Sequence, residues 1–126
     1  MSISQIYQLI QPDLDKVEAQ LGAITRVDFP WLSELLAYCL GSGGKRIRPA
    51  VTLLAGKFYH YDLDAILPMA TSVEMMHTAT LVHDDAIDKS DLRRGRPTVN
   101  KIWGEETAVL LGDYMFATAG QLAAET

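Results

Sequence analysis

One cysteine stands in 126 residues, Cys39 inside the run Leu36-Ala37-Tyr38-Cys39-Leu40, so no internal disulfide can form and a reducing compartment fits best. Basic charge is also short: 11 Lys and Arg face 16 Asp and Glu, for a net charge of −5. A nucleic acid as main partner is disfavoured, because neutralising phosphates calls for a basic face. Any anionic ligand must be held locally. No apolar run is long enough to span a bilayer, and residues 2–24 lack the basic start and continuous apolar core of a signal peptide; a cytoplasmic protein is expected. Alternation with period two is missing as well. The segment "VTLL" at 51–54 is the one candidate strand, and Pro49 just before it favours a helix. Repeats and low-complexity linkers are absent, leaving one domain, or part of one, with 48% hydrophobic residues and an all-α pattern.

What is present is helical periodicity. Ile3, Ile6, Leu9, Ile10, Leu14, Val17 and Leu21 recur at three- and four-residue steps, predicting an amphipathic helix that is kinked or interrupted near Pro12 and ended by Gly22. A second is entered through Pro30 and stopped by Gly41. A third carries Pro49 in its first turn and runs towards Tyr61. Asp62 or Asp64 caps a long fourth, where Met69, Ala70, Val73, Met75, Met76, Ala79, Leu81, Val82, Ala86 and Ile87 cover most of the circumference, as in a central helix. A short helical piece at 99–103 and a last helix over 108–122 complete the prediction.

The end of the fourth helix departs from this quiet pattern. The stretch "LVHDDAIDKSDLRRGRP" at 81–97 packs four aspartates and then three arginines into one segment. Asp84 and Asp88 lie one turn apart on one face with Asp85 beside them, and carboxylates so close repel unless a cation lies between them. Magnesium suits them: a hard ion that keeps waters and is completed by substrate phosphate oxygens. The competing reading is a solvated helix end with surface ion pairs to Lys89, Arg93 and Arg94. It is weakened because acids at a helix C-terminus face the wrong pole of the dipole. Arg93 and Arg94, in a loop held by Gly95 and Pro97, suit phosphate oxygens, although "RRGR" alone is more often an ordinary basic loop. "GSGGKRIRP" at 41–49 offers Lys45, Arg46 and Arg48 behind glycines. It is not a Walker A loop, since Arg46 rather than Ser or Thr follows Lys45, and alone it reads as a helix connector. His77 lies two turns before Asp84 on the same face, able to donate to a second anion or to serve as a satisfied core histidine.

Together, "GGKRIRP" at 43–49, "EMMHTATLVHDDAID" at 74–88 and "LRRGRPTVN" at 92–100 strongly resemble the first half of a trans-isoprenyl diphosphate synthase, the polyprenyl synthetase family, in order and spacing as well as composition. "AVLLGDYMFATA" at 108–119 is similar to the helix that follows in that family. The resemblance implies an all-helical isoprenoid synthase barrel, of which this is the N-terminal half, and head-to-tail condensation of an allylic diphosphate with isopentenyl diphosphate. By motif position, Asp84, Asp85 and Asp88 would hold magnesium on the allylic diphosphate, Arg93 would touch that diphosphate, and Lys45, Arg48, His77 and Arg94 would bind isopentenyl diphosphate. The family is usually a homodimer.

Residues preceding the acids on their helix would line the path of the growing chain. Short-product members often carry a bulky aromatic four or five positions before the first aspartate, where this sequence has Thr80 and Ala79. A medium or long product is therefore expected, with Met75 and Met76 as narrowing points deeper down. The chain departs from the family in length and lacks the second aspartate-rich motif that completes the metal cluster. It is expected to be either the substrate-binding half of a synthase, inactive alone, or a non-catalytic helical module that retains the fold as a partner subunit or an inactive remnant; a terpene cyclase fits less well because it would not need "GGKRIRP". Half a barrel also leaves apolar faces uncovered, which favours association.

Overall fold

The computed structural model describes residues 2–41 and 44–126; Ser42 and Gly43 of the glycine-rich segment lie outside the described residues. Among the described residues six helices follow in order: α1 (Ile3–Ile24), α2 (Pro30–Leu40), α3 (Ile47–Gly56), α4 (Leu63–Asp88), α5 (Val99–Trp103) and α6 (Glu105–Ala124). The all-α class expected from the sequence is what the chain adopts. A two-residue antiparallel ladder, β1 (Leu92–Arg93) with β2 (Arg96–Pro97), interrupts the helices.

Helix α1 starts on a capping box: the Ser2 hydroxyl accepts from the Gln5 amide at 3.2 Å, and the Gln5 side chain accepts from the Ser2 amide at 2.8 Å. It passes continuously through Pro12 and beyond Gly22 to Ile24, so neither residue breaks it as the sequence suggests. Its apolar face, with Ile10, Leu14, Val17 and Leu21 buried, supplies the packing that carries the helix across both positions. Helix α3 does hold Pro49 in its first turn but stops at Gly56, short of Tyr61. There the chain turns back closely: a Cβ on Gly56 would meet Ile66 Cδ1 at 2.2 Å, and the Tyr61 hydroxyl donates to Asp13 Oδ2 at 2.6 Å. Helix α6 begins earlier than expected, with Glu105 and Glu106 on the favourable pole of its dipole.

Helix α4 touches all five other helices. Its buried residues include Ala70, Met75, Ala79, Val82 and Ala86, and small side chains let α6 lie close along it. Two buried hydroxyls of the helix are satisfied: Ser72 Oγ donates to the Ala119 carbonyl at 2.7 Å, and Thr71 Oγ1 bonds Gln20 and the Leu67 carbonyl. The helix closes on Lys89, which has φ 55°, with the Ser90 amide returning to the Asp85 carbonyl at 2.9 Å. No helix among the described residues is long and apolar enough to cross a membrane.

The α4–α6 contact is tightest at Gly112, where a Cβ would lie 2.1 Å from His83 Cδ2. That ring is held by the Val109 carbonyl at 2.9 Å and by Phe116, so it cannot simply swing away. Gly112→Ala is expected to destabilise the chain by about 1–3 kcal/mol through overpacking, read as a lower midpoint in chemical denaturation with an unchanged slope. An unchanged midpoint would mean that the two helices can part at no cost.

Candidate functional site

A cleft of about 580 Å³ opens between the end of α2, the segment entering α3, the last turns of α4 and the small hairpin. Helix α4 lines it with Glu74, His77, Thr78, Leu81, Val82 and Asp85, a stripe at three- and four-residue steps. Lys45, Arg46 and Arg48 line the opposite side, and Arg93, Arg94 and Arg96 come from the hairpin. The four residues expected to share one diphosphate, Lys45, Arg48, His77 and Arg94, are thus brought to one cavity from three separate segments. The two basic segments approach closely: a Cβ on Gly44 would stand 3.9 Å from Arg94 Nη1.

The hairpin explains how the arginines are aimed. Arg94 and Gly95 form its two-residue turn with φ 53° and 77°, a left-handed pair of the kind that matches strand twist. Thr98 Oγ1 and Asn100 Nδ2 both donate to the Ser90 carbonyl, at 2.7 and 2.9 Å, and the Thr98 amide donates to the Asp91 carbonyl at 3.0 Å. These bonds fasten the hairpin beneath the end of α4. Strands of two residues are too short to leave a period-two signal in the sequence. Arg93 and Arg96 face each other across the ladder, and like charges so placed are unfavourable unless each is answered elsewhere. Arg96 lies 4.2 Å over the Tyr38 ring, while Arg93 is answered by an acid.

That acid is Asp85. It is 7% exposed, and its two carboxylate oxygens accept from Arg93 Nε and Nη2 at 2.8 and 2.9 Å. The pair raises the Arg93 pKa further, chiefly through this hydrogen bonding, so its charge is permanent. Asp84 and Asp88 differ from Asp85: both are exposed, outside the cleft lining, and without a hydrogen-bonded or ion-paired partner among the described residues. The three aspartates expected to act together are therefore divided, one engaged by Arg93 and two open to solvent one turn apart. Among the described residues no three carboxylate, imidazole or thiol groups gather as a ready metal site. Two open carboxylates suit a hard ion that takes its remaining ligands from water and phosphate.

The expected chain-length residues also divide. Met76 and Thr80 are exposed and continue the stripe of Asp84 up the helix. Met75 and Ala79 are fully buried in the helical core instead, on the side that faces away from that stripe. Three charged cleft residues were not singled out as site residues from sequence. Arg46 looks like its basic neighbours in the run, yet it turns inward. Arg96 becomes visible only once the hairpin register places it across from Arg93. Glu74 is 6% exposed and leaves Oε2 without a hydrogen bond among the described residues. Cys39 also borders the cleft, but burial pushes its thiol up to about 12 against the opposing charge of Arg96, so it is protonated at neutral pH.

His77 reports the field of the cleft. Burial, above all, lowers its pKa, and Arg48, Arg93 and Arg94 lower it further against the opposing effect of Glu74. The folded chain therefore binds fewer protons at this ring than the unfolded chain, whose imidazole titrates near ~6.5. Stability attached to His77 is present at neutral pH and is lost as pH falls from about 6.5 through the lower folded pKa. His77→Gln should flatten that decline in denaturation midpoints measured between neutral and mildly acidic pH. In the native protein, inorganic pyrophosphate should raise the His77 pKa followed by NMR, because an anion offsets the arginines; an unmoved titration would place the anion elsewhere.

The profile of the polyprenyl synthetase family matches residues 29–126. The chain is 44% identical over 117 residues to heptaprenyl diphosphate synthase component 2 of Bacillus subtilis (strain 168), an alignment covering 93% of this chain and 34% of that protein. It is 42% identical over 125 residues to the octaprenyl diphosphate synthase of Haemophilus influenzae, covering 99% and 38% respectively. Among solved structures, the polyprenyl synthase of Caulobacter crescentus CB15 complexed with calcium and isoprenyl diphosphate superposes with a TM-score of 0.91 at 36% identity, covering 98% of this chain and 38% of that one. The chain thus spans between a third and two fifths of the length of these relatives. Its sequence and its helical fold both make it a member of the polyprenyl synthetase family.

Proposed function

We propose that this chain is the substrate-binding part of a single polyprenyl synthetase domain that condenses isopentenyl diphosphate with an allylic prenyl diphosphate to give a medium or long trans-polyprenyl diphosphate. The observation that carries the reading is the convergence of Lys45, Arg48, His77 and Arg94 on one cleft, with Asp84 and Asp88 open on the adjoining side of the same helix. Cations at the cleft would hold the diphosphate of isopentenyl diphosphate, and the edge of the Arg93 fork left outside its pair with Asp85 would serve the allylic diphosphate. Asp84 and Asp88 would hold magnesium, which when bound supplies positive charge to the departing diphosphate.

Arg93 has two roles in this arrangement. Its bond to Asp85 keeps the charged guanidinium fixed and offsets the charge of Asp85, so an arriving anion meets a preset donor without repelling Asp85 outright. The exposed Met76 and Thr80, on the stripe of Asp84, would lie along the chain as it lengthens. The small hydroxyl side chain of Thr80 leaves that path open, which supports a product beyond the shortest ones. The partner most consistent with the exposed apolar side chains Trp31, Leu110 and Tyr114, which border a groove between α2 and α6, is a second copy of the protein. The 126 residues alone are not expected to complete the transfer, because acids on one helix cannot enclose the metal site.

Binding separates the parts of this reading. Calorimetric titration with isopentenyl diphosphate should show Lys45→Ala and Arg48→Ala each weakening affinity by about tenfold, the loss of one charge-assisted contact. Magnesium should tighten binding of an allylic diphosphate, and Asp84→Asn or Asp88→Asn should remove that gain more fully than Asp85→Asn. Affinity indifferent to Lys45 and Arg48, or a magnesium effect that survives loss of both open aspartates, would sink the assignment.

A further inference from the structure

Lys45, Arg46, Ile47 and Arg48 read as a basic run, yet the structure gives Arg46 a different task. Its side chain is only 10% exposed. Nη2 donates to the Leu40 carbonyl at the end of α2 at 2.7 Å, Nε donates to Glu18 of α1, and Nη1 lies 3.8 Å from Glu74 Oε1 of α4. One guanidinium therefore ties three helices to the segment that enters the fourth, a use of its planar fork that an ammonium cannot reproduce. The backbone of Arg46 adopts φ 53° and ψ 43°, left-handed and unfavourable for a residue with a side chain, immediately before α3 begins. That turn is where the chain changes direction between Lys45 and Arg48.

Glu74 is the second part of the device. It is buried in the cleft wall one turn before His77; Oε1 stands 3.8 Å from Arg46 Nη1, an ion-pair separation longer than a hydrogen bond, and Oε2 has no hydrogen bond among the described residues. A buried carboxylate short of hydrogen bonds is costly, and the charge of a nearby guanidinium is what offsets the cost. Tyr7 of α1 adds a further tether by donating its hydroxyl to the Lys45 carbonyl at 3.0 Å.

We propose that Arg46 and Glu74 are positioning residues: their pair locks the Lys45–Arg48 segment to the face of α4 that carries His77, setting the spacing between the two halves of the diphosphate subsite without touching the ligand. The inference rests on the diphosphate reading of the cleft and names what holds it in shape. It makes a prediction opposite in sign to simple electrostatics. Glu74→Gln removes a negative charge from the wall of an anion site, which by charge alone should tighten anion binding.

The experiment titrates inorganic pyrophosphate without metal into the full protein, in native form and in the variants Glu74→Gln, Arg46→Gln, Arg46→Lys and the double variant Glu74→Gln with Arg46→Gln. The expected result is that Glu74→Gln weakens binding by about tenfold, that Arg46→Lys does not restore the native affinity, and that the double variant is no worse than the weaker single one. Before any ligand is added, the amide resonances of residues 44–48 should already move in Glu74→Gln, whose near-identical shape keeps the fold testable if Arg46→Gln unfolds. Lys45→Ala runs alongside. If it weakens pyrophosphate binding while Glu74→Gln leaves it unchanged or tighter, the positioning role is overturned and the cleft stands. If neither the native protein nor its variants bind at Lys45, the cleft reading falls and takes this inference with it.

Discussion

Helix α4 has to satisfy two opposed demands. It is packed against five helices for most of its length, and it ends in aspartates that burial would penalise. The chain resolves the conflict by rotation around the helix axis. The side bearing Met75, Ala79, Val82 and Ala86 faces the core, that bearing Glu74, His77 and Asp85 faces the cleft, and that bearing Thr80, Asp84 and Asp88 is open. Every other positioned group depends on this partition, because α3 and the hairpin dock on α4 and deliver their cations to whichever face is left polar. A shift of the helical register that put the following residue in each place would exchange Glu74 and Asp85 for Met75 and Ala86 at the cleft.

Charge is neutralised in stages across the site. Asp85 is engaged by Arg93, Glu18 and Glu74 answer Arg46, and the Tyr38 ring answers Arg96. Lys45, Arg48 and Arg94 make no ion pair among the described residues, and these are cations the family resemblance assigns to isopentenyl diphosphate. The arginines of the cleft thus differ in whether an acid inside the protein answers them: Arg46 and Arg93 are paired, whereas Arg48 and Arg94 make no ion pair among the described residues. An acidic chain can in this way hold a locally cationic cleft.

Helix existence was legible from periodicity because a helix buried on one face must repeat its apolar residues at that spacing. The ends were less so: Pro12 and Gly22 looked like breaks, and the packing of Ile10, Val17 and Leu21 overrode them. Lys45, His77 and Arg94, which line one cleft, were legible in the sequence as members of charged motifs. What could not be read was which of several like residues turns inward. Arg46 is told apart from Lys45 and Arg48 only by acceptors on α1, α2 and α4, distant in sequence. The split between Thr80 with Met76 and Ala79 with Met75 was in principle available from helical spacing. Steps of four back from Asp84 reach Thr80 and Met76, whereas steps of four back from His83, which packs against α6, reach Ala79 and Met75.

The half-buried thiol of Cys39 has a practical meaning for the bench. With its proton held up to about 12, the only sulfhydryl in the sequence is a weak nucleophile at neutral pH. A cysteine introduced on the open face of the hairpin or of α6 would outcompete it for maleimide and nitroxide reagents. Distance measurements between reporter groups can therefore be made on the otherwise native sequence, without first removing its own sulfur.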